Sequence, residues 1–322
     1  MATFRFGIMG TGGIAHKFAD AVKLIDQCEI TAVANRTMVK AQQFADKYAV
    51  DHVYDDFEEM LKQESLDAVY IATTMDVHYR LTQLCLKYQV PVLCEKAMFM
   101  TSEEAITTLN QAHDKKVFVM EAMWSKFLPT YRQVLGWLTE GKIGEITTSD
   151  YQFGNLVTND PQNRFFNPEL GGGVSFDLTV YTYDLTTMLL GHEFNQIDVA
   201  TDWRYNVDVT DHVVLHYDHS LATMTTSFVA ALGNQLVIYG DAGKIVIPNA
   251  NDCKEAFLYD GNNQLVEHYQ DEATQNGFTY EIKEVINCVY QNKLESPIVP
   301  HQLTIASARL YDQIWEQKKK SE

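Results

Sequence analysis

The sequence predicts an α/β chain in two parts: a doubly wound parallel sheet, then an α+β half built on a mainly antiparallel sheet. Three observations predict it. Up to about residue 120, short apolar runs alternate with helical periodicity; a glycine-rich turn directly follows the first run; and the second half changes to short alternating runs at hairpin spacing. A length of 322 residues also exceeds the roughly 250 at which single cores stop growing.

In the first part, residues 4–9, 30–34, 68–72, 90–93 and 117–120 are apolar runs of the kind buried on both faces of a sheet. Between them, residues 14–25, 39–48, 76–87 and 102–112 carry apolar side chains at 3.6-residue spacing. Strands alternating with helices join through right-handed crossovers into a parallel sheet. In the second part, helices are expected over 128–139 and 174–190, the latter started by Gly171-Gly172-Gly173 and stopped by Gly191. Runs at 209–217, 222–228 and 235–239, divided by turn formers such as Gly233-Asn234 and Asp260-Gly261, predict an antiparallel meander over 195–269. Helices over 275–291 and 303–319 close the chain. The expected domains are 1–122 and 123–322, without a flexible linker.

Hydrophobic residues make up 46% and charged residues 21%, enough apolar side chains for a sizeable core. The 25 basic and 43 acidic residues give a net charge of −18, which excludes a general nucleic-acid binder, because phosphate neutralisation needs clustered Lys and Arg. Residues 1–122 carry 12 basic and 17 acidic side chains, net −5, and the remainder is net −13. The first part is therefore less hostile to an anionic ligand, and the second favours a neutral one. Five scattered cysteines with no CxxC pair suggest neither a disulfide framework nor a zinc site. No apolar run reaches a membrane span and no leader pattern opens the chain, so a soluble, reduced, cytoplasmic protein is expected. His212, His216 and His219 are not expected to bind metal. On a strand the first two lie about 13 Å apart at ~3.3 Å per residue, and the third falls in a turn.

Gly10-Thr11-Gly12-Gly13-Ile14-Ala15 is a G-x-G-x-x-A turn that follows the first strand and opens the first helix. Gly10 permits the tight turn, Gly12 lets backbone approach a pyrophosphate, and Ala15 lets helix and strand pack closely. The pyrophosphate then sits on the helix N-terminus, where N–H groups and the dipole favour anions. In this context the motif marks dinucleotide binding on a Rossmann sheet. The second strand ends in Ala34-Asn35-Arg36-Thr37, with Lys40 one turn on. An NAD site usually places a carboxylate there for the ribose hydroxyls. Arg36 instead suits a 2′-phosphate, through charge-assisted bonds and stacking on adenine. NADP is expected over NAD, although Asn35 tolerates either.

Glu95-Lys96 follows the fourth of these apolar runs, at the carboxyl edge where open α/β sheets bind ligands. An ammonium there can hold a substrate oxygen, stabilise a developing alkoxide, or lower the pKa of a neighbouring acid. Downstream, Asp177, Tyr181 and Asp184 are spaced i, i+4 and i+7, which on an α-helix gives one face two carboxylates and a phenol. A phenol near a lysine ammonium suits acid–base work. By itself the same pattern describes an amphipathic helix whose tyrosines pack in the core. Phe153 is a candidate to line a substrate pocket.

In this order the motifs resemble the Gfo/Idh/MocA (glucose-fructose oxidoreductase / inositol dehydrogenase) family over essentially the whole chain. Cys94-Glu95-Lys96 stands where the family has E-K-P, and residues 171–184 where it has G-G-G-x-x-x-D-x-G-x-H/Y. Glu121-Ala122-Met123-Trp124-Ser125-Lys126-Phe127-Leu128-Pro129 looks like the E-A-x-W-x-R-F-x-P stretch of the branch holding dimeric dihydrodiol dehydrogenases and NADP-dependent D-xylose 1-dehydrogenases. The resemblance implies a large, open C-terminal sheet used for homodimerisation, a catalytic Lys96, and Tyr181 where inositol dehydrogenases have His. It implies that Asp177 orients the substrate or base, that Trp124 borders nicotinamide and substrate, and that Thr73, Thr74, His78 and Glu95 join the cofactor side. Four departures stand out. Ala97 replaces proline, leaving the backbone after Lys96 looser; Thr74 replaces a loop proline, Thr179 a helix glycine, and Lys126 an arginine.

The expected activity is that of an NAD(P)-dependent oxidoreductase acting on the CH–OH group of a sugar, cyclic diol or related compound. Lys96 would hold the oxygen, and either Tyr181 or Lys96 would accept its proton. The alternative is a nucleotide-binding sensor or regulator on the same fold, without turnover.

Overall fold

The computed structural model describes residues 3–321, with side chains through Lys318. The described chain forms two compact units: residues 3–124 with Gln275–Ala308, and Ser125–Thr274 with the rest of the C-terminal helix. The expected division had the chain leave the first unit once, after residue 122. Instead it comes back at Gln275, because helix α8 (Phe278–Tyr290) packs on α1 (Gly13–Val22).

In the first unit, β1 (Phe4–Met9), β2 (Cys28–Ala34), β3 (His52–Tyr54), β4 (Ala68–Ile71), β5 (Val92–Glu95) and β6 (Val119–Ala122) form a parallel sheet in the order β3-β2-β1-β4-β5-β6. The crossovers are α1, α2 (Met38–Tyr48), α3 (Phe57–Gln63), α4 (His78–Lys87) and α5 (Ser102–Lys115). Strand order reverses between β1 and β4, the switch point beyond whose carboxyl ends such sheets bind ligands. Residues of β4, β5 and β6 are buried throughout, as their unbroken apolar runs require. Phe18 of α1 stacks on Tyr70 of β4 with ring centroids 3.8 Å apart. The sequence reading had neither β3 nor α3. A three-residue strand carries no usable period, but α3 had a start signal: the Asp56 side chain accepts from Glu59 N–H at 2.8 Å, and Glu58 and Glu59 occupy the first turn.

The second unit holds α6 (Pro129–Thr139), β7 (Ile146–Gly154), α7 (Val180–Leu190), β8 (Gln196–Arg204), β9 (Val207–His216), β10 (Leu221–Ser227), β11 (Gly233–Gly240), β12 (Gly243–Pro248), β13 (Glu255–Asp260) and β14 (Leu265–Gln270). Its eight strands run β14-β13-β12-β11-β7-β10-β9-β8. The expected meander is present but interrupted: β7 lies at its centre, antiparallel to β11 and parallel to β10. Strand β7 was missed because its buried Ser149, Tyr151 and Phe153 alternate with polar residues and follow the polar run Thr147-Thr148. Helix α7 packs on β7 and β10 and is buried on nearly every side, so it is a core helix and not the amphipathic one expected. The final helix, α9 (His301–Ser321), belongs to the first unit up to Ala308 and to the second from Arg309. Among the described residues no helix is long and apolar enough to cross a membrane.

Candidate active site

Gly10 ends β1, donates its N–H to the Ala34 carbonyl at 2.8 Å and has φ +97°. A Cβ there would stand 2.6 Å from the Ala72 carbonyl oxygen, so both conformation and space demand glycine. Gly12 caps α1 with no side-chain hydrogen bond, and no acidic residue occupies the first turn. A Cβ on Gly12 would meet nothing closer than 3.9 Å, and one on Gly13 nothing within 4 Å. Beside exposed Gly12 and Gly13, Ile14 is half-buried and Ala15 fully buried against the sheet. The loop is thus closed on the β4 side and open where N–H groups face outward, a shape that fits a dinucleotide pyrophosphate.

Asn35 ties this loop to the end of β2. Its Nδ2 donates to Thr11 Oγ1 at 2.7 Å, while its Oδ1 accepts from Thr37 N–H at 2.9 Å. Arg36, Thr37 and Lys40 are all exposed beyond it.

His78 is 2% exposed. Its Nδ1 lies 3.1 Å from the Ala97 carbonyl and its Nε2 3.2 Å from that of Thr73, joining the loop after β4 to the segment after β5. Burial lowers its pKa, so the ring is neutral and gives one proton to one carbonyl. This histidine, expected on the cofactor side, is buried between the loop after β4 and the segment after β5. Thr73 and Thr74 are half-buried, and Thr73 Oγ1 has no hydrogen-bond partner within the protein.

Lys96 is half-buried and follows β5. The Lys96–Ala97 peptide is cis. The segment after Lys96, expected to be looser without proline, has contacts from α4 and β6. The Ala97 carbonyl meets His78, and Met98 N–H donates to Glu121 Oε1 at 2.9 Å from β6. Glu95 is buried and accepts from the Tyr70 hydroxyl. Nearby Glu281 of α8 is fully buried, and neither carboxyl oxygen has a partner. Its pKa is pushed well above the usual carboxylate range, first by burial and then by the charge of Glu95. Tyr70 is raised as well, chiefly by burial and then by Glu95. Trp124 is buried and stacks on Phe278 of α8, centroids 5.1 Å apart.

In the second unit, residues Ser175–Thr179 form a π-helical turn that leads into α7. The extra residue in that turn breaks the expected α-helical register of Asp177 with Tyr181 and Asp184, which both lie in α7. Asp177 is partly exposed, whereas Tyr181, one residue into α7, is buried, its ring 6.3 Å from that of Phe153 on β7. Asp184 is drawn elsewhere. It forms a buried ion pair with Lys126 at 3.4 Å, both side chains nearly inaccessible. The histidines of β9 make cross-strand contacts: His212 with Thr225 at 3.1 Å, and His216 with Asp198 at 2.7 Å. Sequence reasoning missed the Lys126–Asp184 pair, Glu281, and the buried aspartates Asp208 and Asp211. Asp208, between Val207 and Val209, and Glu281, between Tyr280 and Ile282, carried a local signal, a charge between apolar neighbours.

Residues 4–123 match the model of an oxidoreductase family with an NAD-binding Rossmann fold, and residues 131–246 match the GFO/IDH/MocA C-terminal domain. The chain belongs to the Gfo/Idh/MocA family. Similar family members include the trans-1,2-dihydrobenzene-1,2-diol dehydrogenase of Xenopus laevis, 29% identical over 98% of each chain. The Homo sapiens protein of the same name is 27% identical over 98% of this chain and 96% of its own. Among solved structures, the aldose-aldose oxidoreductase from Caulobacter crescentus superposes with a TM-score of 0.88 at 17% identity, covering 99% of this chain and 98% of the other. KijD10, a 3-ketoreductase from Actinomadura kijaniata in complex with NADP, superposes at 0.86 and 22% identity over 96% of each chain. This Gfo/Idh/MocA chain is thus an NAD(P)-dependent oxidoreductase, and its departures from the family motif are absorbed locally. Thr179 bonds to buried side chains, and Lys126 is neutralised by Asp184.

Proposed function

We propose that the protein is an NADP-preferring dehydrogenase of a neutral sugar or cyclic diol. One observation carries this reading: the open phosphate loop after β1 and Lys96 after β5 lie at the same carboxyl edge of one parallel sheet. The preference for NADP is supported by exposed Arg36 and Lys40 at the end of β2, where no carboxylate stands. The substrate class is supported by relatives named as dihydrodiol dehydrogenases and by the acidic second half, which disfavours anions.

Gly10, Thr11, Gly12, Gly13 and Ile14 would hold the pyrophosphate, and Arg36 with Lys40 the 2′-phosphate. A bound nicotinamide would supply the hydride acceptor for the carbon bearing the substrate hydroxyl. Lys96 binds that hydroxyl's oxygen and stabilises the charge it gains as its proton leaves. Tyr181 or Lys96 takes the proton, Asp177 orients the substrate, and Phe153 packs beside Tyr181. The hydrogen bond from Met98 N–H to Glu121 supports an ordered segment after Lys96, which favours turnover over a sensor role.

We further propose a homodimer through the large sheet, where Leu221, Tyr239, Leu265 and Val266 are exposed; light scattering should give twice the chain mass. A reducing, cytoplasmic setting suits its five free cysteines. A panel of aldoses and trans-dihydrodiols, followed by NADPH absorbance, tests the function. Turnover with NADP at a kcat/KM about tenfold or more above that with NAD is expected. No turnover across the panel, or a preference for NAD, would overturn the reading.

A further inference from the structure

The π turn Ser175–Thr179 is held at both ends by two aspartates of β9. Asp208 Oδ2 accepts from Ser175 N–H at 2.5 Å, and Asp211 Oδ2 accepts from the Thr179 hydroxyl at 2.9 Å. Thr179 in turn meets the Thr226 hydroxyl of β10 at 2.6 Å, and Thr201 of β8 donates to Asp211 Oδ1 at 3.0 Å. Both carboxyls are completely buried. Residues three apart on a regular strand point to opposite faces, but the register slips here. Asp202 pairs with Thr210 and Trp203 with Asp208, which leaves Val209 as the extra residue of a bulge. The bulge resets the alternation and lets both aspartates face the turn. Gly173 completes the fit, since a Cβ there would stand 2.2 Å from Asp208 Oδ1.

We propose that Asp208 and Asp211 are positioning residues for the reaction: together they clamp the π turn and so fix Asp177 and the start of α7, where Tyr181 stands. The proposal rests on the reading that Tyr181 and Asp177 serve turnover. Two carboxylates buried side by side cannot both ionise at low cost, so the pair keeps one proton. Burial and then the charge of Asp208 hold Asp211 well above the usual carboxylate range; burial raises Asp208 too, opposed by the Ser175 N–H. The groups bearing on the pair are each other, Ser175, Thr179 and Thr201, with no basic side chain among them, and Trp315 Nε1 donates to Ser175 Oγ at 3.4 Å from α9. Asp208 Oδ1 is the one oxygen of the pair with no hydrogen-bond partner within the protein. The clamp is complete while the pair keeps its proton and opens as pH rises through the pair's upper titration.

Hydrogen exchange of the peptide spanning 174–184, together with kcat and NADP affinity, tests this. Asp211→Ala should lose protection in that peptide and lower kcat by roughly 10- to 100-fold at unchanged NADP affinity. Asp211→Asn, neutral at every pH, should restore most of both and remove the wild type's loss of protection at alkaline pH. Thr179→Val, a smaller change, gives the same readouts should the alanine variant not fold. Unchanged protection in Asp211→Ala or Thr179→Val would overturn the clamp; lost protection with unchanged kcat would overturn its role in positioning. Full activity of Tyr181→Phe would instead remove Tyr181 from the reaction and leave Lys96 as the proton acceptor, with the exchange data still deciding the clamp.

Discussion

Arg36 and Glu281 show how much one side chain decides in the first unit. Arg36 stands exposed where a ribose-binding carboxylate would otherwise be. A charge-assisted bond to a phosphate is worth roughly 1.5–3 kcal/mol, so Arg36→Gln should raise the KM for NADP at least about tenfold and leave that for NAD nearly unchanged. Equal rises for both cofactors would count against it. Glu281 makes a prediction about stability. Its folded-state pKa is raised, so its contribution is fully present below the ordinary carboxyl pKa and is lost as pH rises toward the folded value. Melting temperatures between about pH 5 and pH 8 should therefore fall more steeply for the wild type than for Glu281→Gln; parallel curves would show that Glu281 does not titrate alone. At this scale the sequence was legible where a residue type has one use. Gly10 and Lys96 sit where the pattern put them, at the ends of β1 and β5. The contacts of His78, Asp184 and Met98 were not legible, because their partners lie 19, 58 and 23 residues away in the chain, and no local pattern encodes that pairing.

At the scale of elements, the π turn is the main surprise. Residues 174–190 show no break in helical pattern, and the partners of the turn's two ends, Asp208 and Asp211, lie over 30 residues further on in β9. The glycines before it are the visible trace. Gly173 has φ +131° and faces Asp208, so Gly173→Ala should destabilise by roughly 2 kcal/mol or more. Gly141, with φ +68° and open space around it, should cost about 1 kcal/mol on the same change. Urea unfolding of the two variants checks this, and equal losses would mean that the contact with Asp208 is slack. Long periodic helices and wholly apolar strands were readable to within a few residues. Strand β7 was not, because sheet order is set by long-range pairing: its neighbours β10 and β11 lie at least 67 residues further on.

Over the whole molecule, two units were readable from the change of pattern near residue 120, while the return of α8 to the first was not. That return puts Phe278 on Trp124 and Glu281 near Glu95, so the last part of the chain supports the first. The central claim is that this scaffold exists to oxidise or reduce a carbon–oxygen bond, with Lys96 at the reacting oxygen. The most direct measurement is steady-state turnover of Lys96→Met beside NADP-induced thermal stabilisation of the same variant. Loss of kcat by at least about a hundredfold, with the stabilisation by NADP retained, is the result expected from removing one donor to a developing oxyanion. A Lys96→Met enzyme that turns over like the wild type would contradict it.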